Sequence, residues 1–259
     1  FFGMIFSHEE HGGSSIVLIF KSFPNFRGYK AYVLALLCWG LLAAQSVDAQ
    51  EGYSIQNIEG WPVWVSDELK VKEPEATAVA LDLLRDQCQL VVRVLPVAAS
   101  AAVKKVPIWM SLPAPGRRPR AEFHGNVNWL LDNGMDPAKA KCVEFSNIPI
   151  FGREIKRMPM MLLHELAHAY HNLILGYDHP DVLRLYKRAK QYGSYKIVAR
   201  RNHKLQMAYA MNNQMEYFAE TTEAFFGEND FYPFNRAELK KHDPEMHELL
   251  KRLWENAGE

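Results

Sequence analysis

One segment constrains this chain more than any other: residues 159–175, PMMLLHELAHAYHNLIL, an apolar run carrying a few polar groups. Pro159 suits a first helical turn and Gly176 stands where a helix stops, so the run predicts one long helix. It is apolar on most faces and must therefore be buried. Within it lies His164-Glu165-x-x-His168. Four residues make about one turn, so both imidazoles leave the same face and can grip one metal ion. Glu165 points beside that face, where a carboxylate can take a proton from water. The bland alternative is a pair of core or surface histidines that bind no metal.

Two imidazoles do not complete a site. A catalytic zinc takes three protein ligands and leaves one position for water. The compact continuation His-x-x-Gly-x-x-His is missing, and His171, one turn beyond His168, reads as a rim residue and not as a ligand. The other solution is a glutamate from a second helix, predicted over residues 213–226 and closed by Gly227. It offers Glu216, Glu220 and Glu223. Glu216 and Glu220 lie one turn apart, so both can face the metal helix. Glu216 reads as the ligand, and Glu220 as the outer carboxylate that bonds a ligand histidine and fixes its tautomer. Against this, Asn213 and Glu216 have the spacing of a capping box, which would occupy Glu216 otherwise. Tyr209 is either a phenol donor for a developing oxyanion or a half-buried strand tyrosine.

The stretch AYAMNNQMEYFAE, residues 208–220, resembles the active-site segment of zinc peptidases of the anthrax-toxin lethal factor type. That gluzincin-type family pairs the His-Glu-x-x-His helix with a later helix carrying Tyr, six residues, Glu, then Phe-Ala-Glu. The resemblance covers roughly Pro159 to Phe226. It implies Glu216 as third zinc ligand beside His164 and His168, Glu165 as base, Tyr209 as oxyanion donor and Glu220 as the following acid. It also implies a zincin-like fold and peptide hydrolysis. Nothing in the chain corresponds to the toxin's delivery or substrate-binding domains, so its target is not carried over.

The rest of the sequence frames this site. Tyr32 to Ala44 is a short apolar run with Arg27 and Lys30 before it and small residues (Val47-Asp48-Ala49) after it, the pattern of a cleaved secretory signal. The run falls short of the roughly 20 residues of a spanning helix. Residues 1–49 are therefore expected to be a leader and signal, and 50–259 one peptidase-like domain, secreted or periplasmic, with no stable membrane anchor. Lys plus Arg and Asp plus Glu number 30 each, which offers no basic field for nucleic acid. Cys88 and Cys142 either pair, as an exported protein permits, or stay as separate buried thiols.

Strands are predicted at 58–66, 106–112 and 142–150, helices at 74–94, 129–131, 157–175, 181–192 and 213–226, and a hairpin at 195–209. Asn235 and Asp243 read as caps of two last helices. Strands first and helices later make the fold class α+β, a small mixed sheet followed by a mainly helical half. The residues 117–120 read as a solvated loop, Trp109 and Met110 as core, and His124 with Trp129 as cleft-lining at most. Strand 106–112 is expected to offer an edge to an extended peptide. The function expected is zinc-dependent peptide hydrolysis. The rivals are a peptidase-like binding module that no longer cleaves, and a zinc amidase acting on cell-envelope peptides.

Overall fold

The computed structural model describes residues 50–255. The expected leader and signal lie outside them. The described chain is mixed α+β: a five-stranded sheet, a two-stranded hairpin and a helical remainder. Among the described residues no helix is long and apolar enough to cross a membrane.

The strand expected at 58–66 is half of a hairpin. β1 (Tyr53–Ile58) and β2 (Trp61–Ser66) are antiparallel, with Ile58 opposite Trp61. Glu59 and Gly60, both at positive φ (51° and 94°), form the two-residue turn between them. Such primed turns match the twist of the flanking strands. Next come α1 (Asp67–Lys72), α2 (Pro74–Val94) and α3 (Val97–Val103). The buried stripe of α2 runs through Ala80, Leu84, Cys88 and Val91, and Ala78 faces outward. β3 (Ile108–Met110), β4 (Ala121–Phe123), α4 (Val127–Asp132) and β5 (Val143–Phe145) follow.

The sheet order β1-β2-β3-β5-β4 corrects one expectation. β3 pairs in parallel with both β2 and β5, so residues 106–112 offer no free edge. The edge beside the helical half is β4, antiparallel to β5. β5 is also shorter than expected. Pro149 enters a 3-10 turn (Ile148–Ile150) that leads into α5 (Phe151–Arg157).

The central helix α6 (Met161–Tyr170) packs against α2, α3, β4 and the later helices, and every residue on it except His168 is buried. It continues as a π-helical turn, His171–Leu175, and ends at Gly176 (φ 81°). α7 (Pro180–Tyr192) leads to β6 (Val198–Ala199), β7 (Leu205–Gln206) and a 3-10 turn, Tyr209–Met211. α8 (Gln214–Phe226) lies along α6, followed by α9 (Arg236–His242) and α10 (Pro244–Glu255). Asn213, Asn235 and Asp243 cap these three through their side-chain oxygens. Gly227 ends α8, and a Cβ there would run into the side chain of Met160 just ahead of α6. The two helices are thereby held close at that end.

Cys88 and Cys142 are separate buried thiols, which settles the pairing question against a disulfide. Cys88 belongs to the main core, and Cys142 packs with Trp64 and Trp109 in a smaller cluster. Burial pushes the Cys88 thiol up to about 12, so it is inert at neutral pH.

Near that second cluster lies a buried ionic network. Glu144 accepts from Ser111 and from the Lys139 ammonium, and from His124 Nε2 at 2.7 Å. Burial would raise the carboxyl's pKa, but these donors outweigh it and hold it at about 2. A carboxyl lowered from 4.5 to about 2 contributes roughly 3 kcal/mol of stability. That contribution is present above pH 4.5, the unfolded value, and is lost as pH falls toward 2. Chemical unfolding at pH 6 and pH 3 should show the loss, and Lys139→Met should unfold about 3–5 kcal/mol more easily at pH 6 because it strands a buried carboxylate. Equal stability of wild type and variant at pH 6 would refute this account.

Candidate metal centre

α6 and α8 bring three ligand atoms to one point. Glu216 Oε2 lies 3.2 Å from His164 Nε2 and 3.1 Å from His168 Nε2, and the two Nε2 atoms are 3.1 Å apart. The bonds of about 2.0–2.1 Å in a tetrahedral zinc shell place its ligand atoms about 3.3 Å from one another. The triangle fits such a shell with one position left open. Its chemistry fits as well. Two lone-pair nitrogens and a carboxylate oxygen converge, and Glu216 forms no salt bridge with a Lys or Arg among the described residues. His164, His168 and Glu216 can hold a metal ion.

The local sequence explains the placement. Asn213 caps α8 by accepting from the N–H groups of Met215 and Glu216, both at 2.9 Å. The cap and the ligand therefore coexist: Asn213 fixes the helix start, and the Glu216 side chain is free to reach the imidazoles. Burial disfavours the Glu216 carboxylate, but hydrogen bonds from His164 and His168 reverse this and hold its pKa far below the usual range. For His164, burial works against the charged form. Glu216 and Glu223 overcome it and leave the pKa well above the usual imidazole value.

The outer carboxylate is Glu223, which corrects the expectation for Glu220. Glu223 Oε1 accepts from His164 Nδ1 at 2.7 Å. With the proton held on Nδ1, Nε2 presents its lone pair to the metal position. Glu220 is buried close by, within 4.8 Å of the same groups, but its Oε2 has no partner among the described residues. Burial, then the neighbouring Glu223, push the Glu220 pKa well up. Helix pitch permits this choice, and the rotation of α8 in the packed fold makes it. At 100° per residue, a residue seven positions on returns to within about 20° of Glu216's direction, whereas one four positions on is about 40° away. Glu223→Gln keeps the shape and weakens the acceptor, so metal affinity should fall about 10–100-fold. Competition against a chromogenic chelator measures it, and an unchanged affinity would remove Glu223 from the site.

Glu165 is buried and lines the same cleft as His164, a space of about 730 Å³. Burial raises its pKa, partly offset by His164 and His168. Tyr209 opens the 3-10 turn before α8 and so is not a strand tyrosine. It is about half exposed and lines this cleft too. Burial and the Glu216 charge raise its phenol, which remains a donor.

His171 is fully buried between Tyr177 and Phe218, not on the rim. Burial, then the neighbouring His168 and His179, lower its pKa to about 3, so it is neutral. A second group, Glu122, His124 and Glu144, also has metal-ligand proximity. Its charges are already met, Glu144 by Lys139 and Glu122 by Arg117 and Arg120 at 3.5 and 3.4 Å. His124 therefore serves this network, and Arg117 and Arg120 of the 117–120 loop pair with it. No protein-family model, curated protein or solved structure matches the chain.

Proposed function

We propose that this chain is a zinc-dependent peptidase with a zincin-like fold, of the gluzincin type that the lethal-factor resemblance implies. The reading rests on one observation: the ligand triangle of His164, His168 and Glu216 reaches, through His164, the cleft that Glu165 and Tyr209 also line. Two imidazoles and a carboxylate with an open fourth position are the donor set of catalytic zinc. Zinc held there would supply a Lewis acid and acidify a bound water to a pKa of about 7.

The chain's own groups do the rest. The Glu165 carboxylate accepts the proton of the attacking water and returns it to the leaving amine. Burial raises its pKa, which favours holding that proton between the two transfers. The Tyr209 O–H donates to the oxygen on which negative charge develops. Glu223 keeps His164 in one tautomer. Residues 119–121, leading into β4, line the cleft, so an extended peptide can lie along that free edge and pair with its backbone. The signal pattern in residues 1–49 supports export before action.

The test is direct. Purified chain should contain about one zinc per molecule and cleave members of a general peptide library. A chelator should stop cleavage, and added zinc should restore it. A chain that takes up zinc yet cleaves no peptide would favour the binding-module reading. A chain that takes up no zinc would end the proposal.

A further inference from the structure

The hairpin β6–β7 carries an apolar surface that the metal centre does not use. Ile197, Leu205 and Met207 are 69%, 70% and 53% exposed. Val198 pairs with Gln206 and Ala199 with Leu205. Continuing this register by one pair sets Ile197 opposite Met207. Side chains alternate across a strand, so Ile197, Ala199, Leu205 and Met207 share the outer face, while Val198 is buried in the core. An antiparallel pair with one solvated face ordinarily turns polar residues outward. This one does the opposite.

Charge edges the strip. Arg200 and Arg201 are neutralised by Asp230 and Glu228, at 2.7 and 3.0 Å. Lys196 and Lys204 make no ion pair among the described residues. The strip also runs directly into the cleft, because Gln206, Met207, Ala208 and Tyr209 form part of its wall.

We propose that this strip docks the portion of a polypeptide substrate that lies beyond the residues seated in the cleft. The segment it fits is extended and carries apolar side chains together with carboxylates. The proposal rests on the peptidase reading and deepens it. Three observations favour this occupant. The strip is continuous with the cleft, its two free ammonium groups complement acidic side chains, and its aliphatic face matches apolar ones. A lipid surface calls for a denser basic cluster, about four to eight Lys or Arg. A stable dimer needs about 800 Å² per partner, some 20–30 residues a side, whereas the strip consists of Ile197, Ala199, Leu205 and Met207.

The experiment separates docking from hydrolysis. Binding is measured by fluorescence anisotropy with labelled, reduced and carboxymethylated α-lactalbumin, an unfolded acidic polypeptide, using the Glu165→Gln chain so that nothing is cleaved. Adding Ile197→Ser with Leu205→Ser should weaken binding about tenfold. Lys196→Glu with Lys204→Glu should do the same at low salt, and the difference should shrink at high salt. In the otherwise wild-type chain, both pairs should leave kcat/KM on a short cleft-sized peptide unchanged and lower it about tenfold on the long polypeptide, through KM. The inference is overturned if neither pair changes binding, if short and long substrates lose equally, if the serine pair abolishes a dimer seen by sedimentation, or if the hairpin instead binds anionic vesicles. If the wild-type chain cleaves nothing, the peptidase reading fails, while the binding comparison still decides the docking surface.

Discussion

Glu165→Gln should retain about one zinc per chain while lowering kcat on any cleaved peptide by about 10²–10⁴-fold, the usual contribution of a positioned general base. Gln keeps the size of the buried side chain and removes the acceptor of the proton. Glu165 is outside the ligand triangle, so metal content should be unaffected. Tyr209→Phe in the same assay separates the roles. It removes a hydrogen-bond donor and should cost kcat about 10²–10³-fold with zinc retained. Elemental analysis and steady-state kinetics check both. Full activity in Glu165→Gln would assign the base elsewhere. Loss of zinc in either variant would show that it acts on the metal site and not on proton transfer.

Removal of the third ligand should have the opposite signature. Glu216→Ala should lose zinc first and activity as a consequence. Structural zinc sites bind with roughly 10–16 kcal/mol shared over four ligands, so one ligand lost costs about 3 kcal/mol, at least a hundredfold in Kd. The helix should survive, because the Asn213 side chain caps it through backbone N–H groups that the substitution leaves in place. Zinc uptake by the wild-type chain should also weaken as pH falls. Imidazoles must be deprotonated to bind metal, and Glu216 and Glu223 hold the His164 proton to unusually high pH against the effect of burial. Isothermal titration at two pH values in buffers of different ionisation enthalpy would show the proton released. Unaltered zinc affinity in Glu216→Ala would remove this residue from the coordination set.

The parts of the molecule legible from sequence are those in which local geometry dictates the outcome. His164 and His168 had to share a face because a helix repeats every 3.6 residues. Asn213, Asn235 and Asp243 stand at helix starts because their short side chains satisfy free N–H groups there. The limits of α2 coincide with the prediction at Pro74 and Val94.

Other features depended on partners distant in sequence. Glu220 and Glu223 differ by less than one turn, and which of them reaches His164 is set by the rotation of α8 about its axis once packed on α6. Lys139 looks like a solvated loop lysine until β5 brings Glu144 beside it. The edge was assigned to residues 106–112 because strand order cannot be read from alternation alone. Their pairing on both sides is a property of the assembled sheet.

By itself, then, the sequence determined a buried helix with two imidazoles on one face, a second helix rich in carboxylates, and an α+β order of elements. Periodicity and capping are local, and they leave little freedom. Only the tertiary structure decided that Glu216 comes within 3.2 Å of both imidazoles, that Glu223 supports one of them, and that β4 supplies the free edge. Those outcomes require the relative rotation and depth of packed elements, which close packing of the core fixes and no short stretch of residues encodes.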